Sequence, residues 1–314
     1  MVNVLVVGSG GFGKHYARIL SSESVDNVII TRTSLDSAVE QARALQETNQ
    51  TNVIGAEVSN PSQLDKVLDE YKPFFIAIAA KDPKTGDNIH PLYTSIAAKY
   101  GIVLCEKPFA NAKGDGKSLE FFEFDNNEKF GLELPYTIIY NDMQKNKELY
   151  QHLLNAKNIR FAWITKGSGN DVIDNLALHP WSLLPPEFKI KKADVKDNGS
   201  NAKADMEYHY NNHSIRIEIL LTYGGNFTGL EIDGNTIGIK RQGTTNTLVD
   251  TQLPLEKAVE LGNDGLDGKE LLKTENPLKQ HIIAALHGKP IAGLDKAYDS
   301  QKFLEILHGY PVDE

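Results

Sequence analysis

Two patterns of hydrophobic and polar positions follow one another along the chain. In the first 125 residues, short apolar runs such as Val4-Leu5-Val6-Val7 alternate with stretches whose apolar residues recur three and four positions apart. The runs predict strands that are buried on both faces, and the stretches predict amphipathic helices around a parallel sheet. The predicted strands are residues 4–7, 28–31, 54–58, 74–79 and 102–105, and the predicted helices run through Tyr16 to Leu20 and over residues 35–47, 61–71 and 90–100.

From about residue 130 the apolar residues alternate with a period of two. Ile215, Ile217 and Ile219 show this alternation most clearly, which predicts antiparallel strands with one buried face. Asp233-Gly234-Asn235 predicts a hairpin turn between two such strands. The predicted strands are residues 130–134, 159–164, 205–211, 214–223, 228–232, 236–240 and 247–253, and the predicted helices are 143–154, 277–287 and 297–308.

These patterns predict an α/β protein of two domains. Residues 1–125 are expected to form a Rossmann domain with a doubly wound parallel sheet. Residues 126–314 are expected to form an α+β domain with an open, mostly antiparallel sheet, and its last helices could pack back on the first domain.

Composition narrows the class of protein. The chain has 314 residues, of which 40% are hydrophobic and 24% are charged, as in ordinary globular proteins. A net charge of −9 argues against nucleic acid as the main partner, because phosphate binding needs a cationic surface. No apolar stretch is long enough for a membrane helix, and the N-terminus lacks the features of a signal peptide. The single cysteine, Cys105, excludes an intrachain disulfide and favours a reducing compartment, so we expect a cytoplasmic protein.

A glycine-rich loop follows the first predicted strand. Gly8-Ser9-Gly10-Gly11-Phe12-Gly13 matches G-x-G-x-x-G between a strand and a helix, the context of a dinucleotide site. Gly8 would make the tight turn, Gly10 would let a pyrophosphate approach, and Gly13 would let the helix pack on the strand. The phosphates would meet the N-terminus of the helix, with Gly11 and Phe12 also in contact. The alternative is that the glycines only shape a βα turn.

The end of the second strand bears on which dinucleotide binds. An NAD site usually has an acidic residue there, whereas this chain has Thr31-Arg32-Thr33-Ser34. Arg32 can pair with a 2′-phosphate, and the three hydroxyls add donors, so the residues favour NADP. NAD stays open, since Arg32 could be a solvated side chain and Asp36 could hold a plain ribose.

A second motif follows the strand at residues 102–105. Glu106-Lys107-Pro108 stands at its carboxyl end, where ligands bind in open α/β sheets. Lys107 could therefore exchange a proton with a substrate as hydride moves, although a surface Glu–Lys pair is the usual alternative. Further contacts with the dinucleotide are predicted for Ala79, at the end of a buried strand, and for His90, Glu106 and Lys107.

These motifs together resemble the glucose-fructose oxidoreductase, inositol dehydrogenase and rhizopine catabolism protein family (Gfo/Idh/MocA). The resemblance rests on the glycine loop, on His90 opening a helix, on Glu106-Lys107-Pro108, and on residues 276–290, which look like the late helix of the family and its Gly-x-Pro. It implies that the first domain binds NAD or NADP and that Lys107 is catalytic. It also implies a substrate domain whose sheet commonly makes dimer contacts, hence a homodimer or homotetramer.

The family usually completes its site with a histidine in the pattern D-x-x-x-H-x-x-D. By this resemblance His179 is the second catalytic residue, while Asn175 and Ser182 stand where the pattern has acids. An imidazole can act as general acid or base without either carboxylate, but the missing acids argue against a sugar or polyol substrate. A structural role for His179 is the alternative.

The surroundings of His179 are apolar and aromatic. Tyr136, Asn175 and Trp181 are predicted to bind the substrate, and aromatic walls suit a flat or less polar molecule. Core packing is the alternative and is the more common reason for such clusters. No metal site is assigned, because His209 and His213 lie in a strand and turn, where a spacing of four does not bring them together.

The residues predict an NAD(P)-dependent oxidoreductase that prefers NADPH. It would move hydride between the nicotinamide and a carbonyl, hydroxyl or imine carbon of a small molecule, with Lys107 as proton relay. The alternatives are a catalytically silent dinucleotide-binding sensor of the same fold and an interaction scaffold that binds no nucleotide.

Overall fold

The computed structural model describes residues 2–82, 88–112, 118–124, 126–169, 171–211 and 213–310. By contacts, the chain separates into two compact units. The first unit comprises Met1–Glu133 and His281–Gln301, and the second comprises Leu134–Gln280 and Lys302–Glu314. The predicted domain ranges, 1–125 and 126–314, remain a prediction; residues 126–133 and 281–301 group with the first unit.

The first unit is built on a six-stranded sheet in which every neighbouring pair is parallel. Its strand order, β3-β2-β1-β4-β5-β6, is that of a doubly wound Rossmann sheet, which confirms the predicted fold class. The chain passes from β3, at one edge, back to β4 beside β1, so the strand order reverses between β1 and β4. In sheets of this kind the crevice that binds ligands lies at the carboxyl ends of these two strands. The strands are β1 Asn3–Val7, β2 Asn27–Arg32, β3 Asn52–Glu57, β4 Phe75–Ile78, β5 Ile102–Cys105 and β6 Phe130–Leu132.

The helices that follow the first four strands begin where the sequence predicts them. Ser34 accepts a hydrogen bond from the N–H of Ser37, and Asn60 accepts one from the N–H of Gln63, so each caps a helix. The helices are α1 Gly13–Leu20, α2 Leu35–Gln46, α3 Pro61–Tyr71 and α4 His90–Ala97. Near the end of the chain α10 Pro277–Leu286 and α11 Leu294–Leu307 confirm the two predicted late helices.

The second unit is built on an eight-stranded sheet in the order β14-β13-β12-β11-β7-β10-β9-β8. Only β7 and β10 run parallel, so the prediction of a mostly antiparallel sheet is confirmed. Ile215, Ile217 and Ile219 are fully buried, as their alternation predicts. The strands are β7 Asn158–Thr165, β8 Lys189–Asp197, β9 Asn201–Tyr210, β10 His213–Tyr223, β11 Phe227–Ile232, β12 Asn235–Gln242, β13 Thr245–Asp250 and β14 Lys269–Thr274.

The helix predicted near residues 143–154 is interrupted at Asn146, so the prediction of one continuous helix is wrong. The structure has two helices there, α5 Tyr136–Lys145 and α6 Lys147–Leu154. Asn146 between them has extended backbone, and its side chain accepts a hydrogen bond from the N–H of Leu149. A cap inside the predicted segment therefore starts a new helix. The second unit also contains α7 Val172–Leu176, α8 Leu178–Trp181 and α9 Leu255–Gly265, which are not among the helices that the apolar spacing predicts.

Within the described residues, none of the helices combines the length and the hydropathy that crossing a membrane requires.

Candidate functional site

The loop between β1 and α1 is too closely packed for a side chain at two of its glycines. Gly8 has φ 83°, and a Cβ atom there would lie 2.6 Å from Cα of Ala80. A Cβ on Gly13 would lie 2.1 Å from the carbonyl oxygen of Gly8. The strand end and the start of α1 are therefore packed backbone against backbone.

The other two glycines of the loop leave space. A Cβ on Gly10 would meet nothing closer than the guanidinium of Arg32, at 3.7 Å, and a Cβ on Gly11 would meet nothing within 4 Å. The N–H groups of Lys14 and His15 in the first turn of α1 donate to the carbonyls of Gly10 and Phe12, at 3.0 and 2.9 Å. Gly10, Gly11 and Phe12, just before the helix, line an open space, and a helix N-terminus beside such a space is the arrangement that binds a pyrophosphate.

This space is a cleft of about 530 Å³ in the first unit. It is bordered by the carboxyl ends of β1, β2 and β4 and by the segment after β5. The predicted contacts that line it are Gly8, Gly10, Gly11, Phe12, Arg32, Thr33, Ala79 and Glu106. Gly13, Thr31, Ser34, His90 and Lys107 are not among its lining residues, whereas Ser59, Lys81 and Tyr93 line it without having been predicted.

The side chains of Thr31 and Ser34 make hydrogen bonds within the first unit. The hydroxyl of buried Thr31 accepts a hydrogen bond from the N–H of Gly8 at 3.1 Å, and its carbonyl accepts one from the N–H of Ser9 at 2.9 Å. Ser34 caps α2. Of the four residues at the end of β2, Arg32 and Thr33 are thus the two that line the cleft.

Gln41 of α2 joins the loop to Arg32 and is a residue that sequence reasoning missed. Its amide nitrogen donates to the carbonyl of Ser9 at 2.8 Å. Its amide oxygen accepts from the hydroxyl of Ser9 at 2.8 Å and from Nη1 of Arg32 at 3.4 Å. Gln41 therefore holds the guanidinium beside the glycine loop.

A second set of ionisable groups lies at the carboxyl ends of β5 and β6, in the first unit. Glu106 and Lys107 follow β5, and Glu133 follows β6. Burial raises the pKa of Glu106 to about 7, although the ammonium groups of Lys107 and Lys81 oppose the shift. Burial, and then the charge of Glu106, raise the pKa of Glu133.

Glu133 was not predicted as a site residue, because the sequence placed it inside a strand at residues 130–134. The strand ends at Leu132, so Glu133 stands at the edge of the sheet. The available signal was an acidic residue amid the apolar run Phe130 to Leu134.

His90 opens α4, as predicted, and is buried. Its Nδ1 lies 3.0 Å from the carbonyl oxygen of Pro108. Burial lowers the pKa of His90 to about 4, a shift that this hydrogen bond opposes and that the charge of Lys81 increases. His90 is therefore neutral at pH 7 and connects α4 to the segment after Lys107.

The predicted substrate residues lie in the second unit. The rings of Tyr136, Trp163 and His179 form a cluster, with centroids 4.8 Å apart for Tyr136 and Trp163 and 5.0 Å for Tyr136 and His179. His179 stacks on Trp163 at 5.8 Å. Tyr136 and His179 are both half-buried, so the cluster keeps one partly open side.

Asn175 and Trp181 have other neighbours. The amide nitrogen of Asn175 donates to the hydroxyl of Tyr223 at 3.0 Å. The ring of Trp181 stacks on Phe303, with centroids 6.0 Å apart. Ser182, which stands where the family pattern has an acid, is buried, and its hydroxyl donates to the carbonyl of Leu178 at 2.5 Å.

Comparison with known proteins gives likeness in structure only. No family model matches the chain, and no curated protein matches its sequence. A Gfo/Idh/MocA family oxidoreductase from Vibrio cholerae has a TM-score of 0.60 at 13% identity, with 97% of this chain and 96% of that chain covered. KijD10, a 3-ketoreductase from Actinomadura kijaniata solved with NADP, has a TM-score of 0.63 at 13% identity, with 98% of this chain and 95% of that chain covered. The dehydrogenase MviM from Clostridium difficile has a TM-score of 0.58 at 14% identity, with 98% of each chain covered.

The fold of this chain is therefore the fold of the Gfo/Idh/MocA oxidoreductases, over nearly the whole length of both chains. The resemblance that the motifs indicate is confirmed at that level. Fold does not imply function, so activity must be argued from the site.

Proposed function

We propose that this protein is an NAD(P)-dependent oxidoreductase that prefers NADPH and acts on a carbonyl, hydroxyl or imine carbon of a small molecule. The observation that carries the proposal is the glycine loop, whose residues Gly10, Gly11 and Phe12 line a cleft that Arg32 also lines. The fit is specific, since side chains are excluded at Gly8 and Gly13 and space is left at Gly10 and Gly11. A bound nicotinamide would supply the hydride chemistry.

The preference for NADPH rests on Arg32, which lines the cleft at the end of β2, where an NAD site usually has an acid; the acids that line the cleft, Asp82 and Glu106, follow β4 and β5. A guanidinium pairs with a phosphate by charge-assisted hydrogen bonds, whereas a carboxylate would repel a 2′-phosphate. Gln41 holds Arg32 beside the loop, so the side chain is placed before the ligand arrives.

Lys107 is the proposed proton relay. It follows β5 at the carboxyl edge of the sheet, where substrates bind in this class of fold. Its ammonium group can give a proton to the oxygen or nitrogen of the substrate as hydride reaches the carbon. His179, at the partly open aromatic cluster, is the proposed second acid or base, with Tyr136, Asn175 and Trp181 as substrate contacts.

The structural neighbours support this class of reaction. They are named oxidoreductases or dehydrogenases, and one is a 3-ketoreductase solved with NADP. At identities of 13 to 14% these names lend support without deciding the substrate.

The cofactor preference is tested by titrating the protein with NADPH and NADH and following nucleotide fluorescence. Replacing Arg32 by alanine should weaken NADPH binding about 10- to 100-fold, since a hydrogen bond to a charged group contributes about 1.5 to 3 kcal/mol. Binding of NADH should change little. Arg43→Ala, on the exposed part of α2, is the matched control. Equal loss of both nucleotides would contradict the preference, and no binding by the native protein would refute the proposed function.

The chemistry is tested with Lys107→Ala on a panel of carbonyl and imine compounds. We expect turnover of NADPH to fall at least about 100-fold while NADPH still binds, because general acid catalysis contributes about that much. Binding without turnover by the native protein on the whole panel would instead favour the catalytically silent sensor.

Assembly and location belong to the same proposal. We propose a homodimer or homotetramer formed through the eight-stranded sheet, in the cytoplasm, where the single buried free cysteine would stay reduced. Sedimentation equilibrium tests the assembly, and a monomer at micromolar concentration would contradict it.

A further inference from the structure

Two glutamates stand at neighbouring positions on the carboxyl edge of the six-stranded sheet. β5 and β6 are parallel neighbours, with Cys105 opposite Leu132, so Glu106 and Glu133 follow at equivalent positions. The N–H of Glu133 donates to the carbonyl of Cys105 at 2.7 Å, which continues the ladder by one step. Because neighbouring strands are about 4.8 Å apart, the two side chains start from adjacent backbone positions.

Glu133 is almost completely enclosed. It is 1% exposed, and its Oε1 atom has no hydrogen-bond partner within the described part of the chain. A buried carboxylate oxygen without a hydrogen bond disfavours the ionised form, in the same direction as the burial that raises the pKa of Glu133. Glu106 is half-buried and lines the cleft, so the two residues extend from the interior to the cleft.

The titratable groups around the two glutamates belong to several elements of the first unit, and the charged ones among them are lysines. Tyr16 of α1 and Cys105 of β5 face it and are kept neutral, because burial, with help from the two glutamates, raises the pKa of each. His90 of α4 is kept neutral by burial, which lowers its pKa. The cations that act on the pair are Lys107 after β5, which acts on both carboxyls, and Lys81 after β4, which acts on Glu106.

We propose that Glu133 is a positioning residue for Lys107: with Glu106 it forms a pair of carboxyl groups that shares a proton and resupplies the lysine. The proposal rests on the proposed function, since the relay has a purpose only if Lys107 gives a proton to a substrate.

The proton balance of a reduction runs in two steps. As hydride reaches the substrate carbon, an N–H bond of Lys107 breaks and an O–H or N–H bond forms on the substrate. The O–H bond of the pair then breaks and the N–H bond of Lys107 forms again, which leaves both carboxylates ionised beside two ammonium groups. Water returns the proton to the pair after product leaves, and oxidation runs through the same steps in reverse.

The carboxyl pair is tested first without cofactor or substrate. Infrared difference spectra across a pH titration count protonated carboxyl groups through their C=O stretch. We expect the native protein to keep protonated carboxyl at pH 7, and Glu133→Gln to remove one carboxyl that titrates at or above neutral pH. Glu128→Gln, exposed and five residues earlier in the chain, should leave the count unchanged. An unchanged count in Glu133→Gln would overturn the proposal.

The coupling to Lys107 is tested by steady-state kinetics against pH. Glu133→Gln should lower kcat roughly 10- to 100-fold, with KM and NADPH affinity unchanged, and should remove an ionisation near neutral pH from the kcat profile. Glu133→Asp, which keeps a carboxyl, should restore part of the rate. A kcat profile of native shape in Glu133→Gln would overturn the relay.

The two readouts separate this inference from the proposed function. If the native protein binds neither nucleotide, the proposed function and the relay fail together, while the infrared count still judges the carboxyl pair. If the native protein turns over NADPH and the count or the pH profile is unaffected by Glu133→Gln, the relay alone is wrong.

Discussion

Beside Gly13 there is room for a hydrogen atom and nothing larger. The carbonyl oxygen of Gly8 lies 2.1 Å from the position of a Cβ, and Cβ of Ala79 lies 3.3 Å from it. Gly8 follows β1 and Ala79 follows β4, and the N–H of Ala79 donates to the carbonyl of Val7 at 2.9 Å, so neither residue can move far without the sheet. Packing by itself therefore requires a glycine at this position.

We therefore expect Gly13→Ala to lower the free energy of unfolding by about 1 to 3 kcal/mol, the usual cost of overpacking. Urea denaturation measures the change. The matched control is Gly293→Ala, because nothing lies within 4 Å of a Cβ at Gly293. If both variants were equally stable, the close approach at Gly13 would be wrong.

Only part of the candidate site could be predicted from the sequence. The glycine loop and Arg32 were found because their chemistry is local: a turn, a helix start and the end of a strand are adjacent in sequence. Glu133 was missed because its importance comes from burial beside Glu106, and these residues are 27 positions apart in the chain. Thr31 carries a hydroxyl at the expected place, but that hydroxyl accepts a hydrogen bond from Gly8.

One side chain of β7, the guanidinium of Arg160, forms ion pairs with three neighbouring elements. Arg160 lies opposite Glu218 of β10 and Glu231 of β11 in the strand register. Its guanidinium is 3.2 Å from Glu218, 3.3 Å from Glu231 and 2.7 Å from Glu256 of α9. Three elements thus share one cation, and pairing with Arg160 lowers the pKa of Glu256.

Replacing Arg160 by alanine should lower the free energy of unfolding by roughly 1 to 2 kcal/mol at low salt, because three carboxylates lose a shared partner. The loss should shrink in high salt, which screens the charges. Arg216→Ala, which removes a single exposed pair with Asp205 at 3.1 Å, should cost less than about 0.5 kcal/mol. Equal losses in urea denaturation would contradict the shared-cation account.

The two strands that sequence reasoning missed are the edges of the eight-stranded sheet. β8 and β14 stand at its opposite ends. In β8, which has four lysines in nine residues, no residue is fully buried, so the alternation that reveals the inner strands is absent. Charged edges protect a sheet from pairing with other chains, and they also hide the strand in the sequence.

For the whole molecule, buried ionisable groups give opposing dependences on pH. Burial lowers the pKa of His90 and of His281 from 6.5 to about 4, so below pH 6.5 the unfolded chain binds more protons at these residues. Their contribution to stability is present above pH 6.5 and is lost as the pH falls toward 4. Glu106 and Glu133 have raised pKa values, so their contribution is present below about pH 4.5 and is lost as the pH rises through neutrality.

We expect two variants to change the pH dependence of stability in opposite directions. Between about pH 4.5 and 6.5, His281→Gln should make the free energy of unfolding fall more steeply with rising pH, and Glu133→Gln should make it fall less steeply. Each change should reach at most about 1.4 kcal/mol per pH unit, the value for one proton. Urea denaturation at several pH values measures the slopes, which stay measurable if a variant is less stable overall. Slopes that moved in the same direction would contradict the burial of one of these groups.

The sequence by itself determined the alternation of strands and helices in the first unit, the glycine loop, and most of the inner strands of the second sheet. These features follow from the spacing of residues that are close in the chain, which sets which face of an element is apolar and where the backbone must turn. Only the tertiary structure decided the edge strands, the break between α5 and α6, the holding of Arg32 by Gln41, and the neighbouring positions of Glu106 and Glu133. Burial and proximity between distant segments produce these, because the pKa and the partners of a side chain depend on neighbours that no local pattern records.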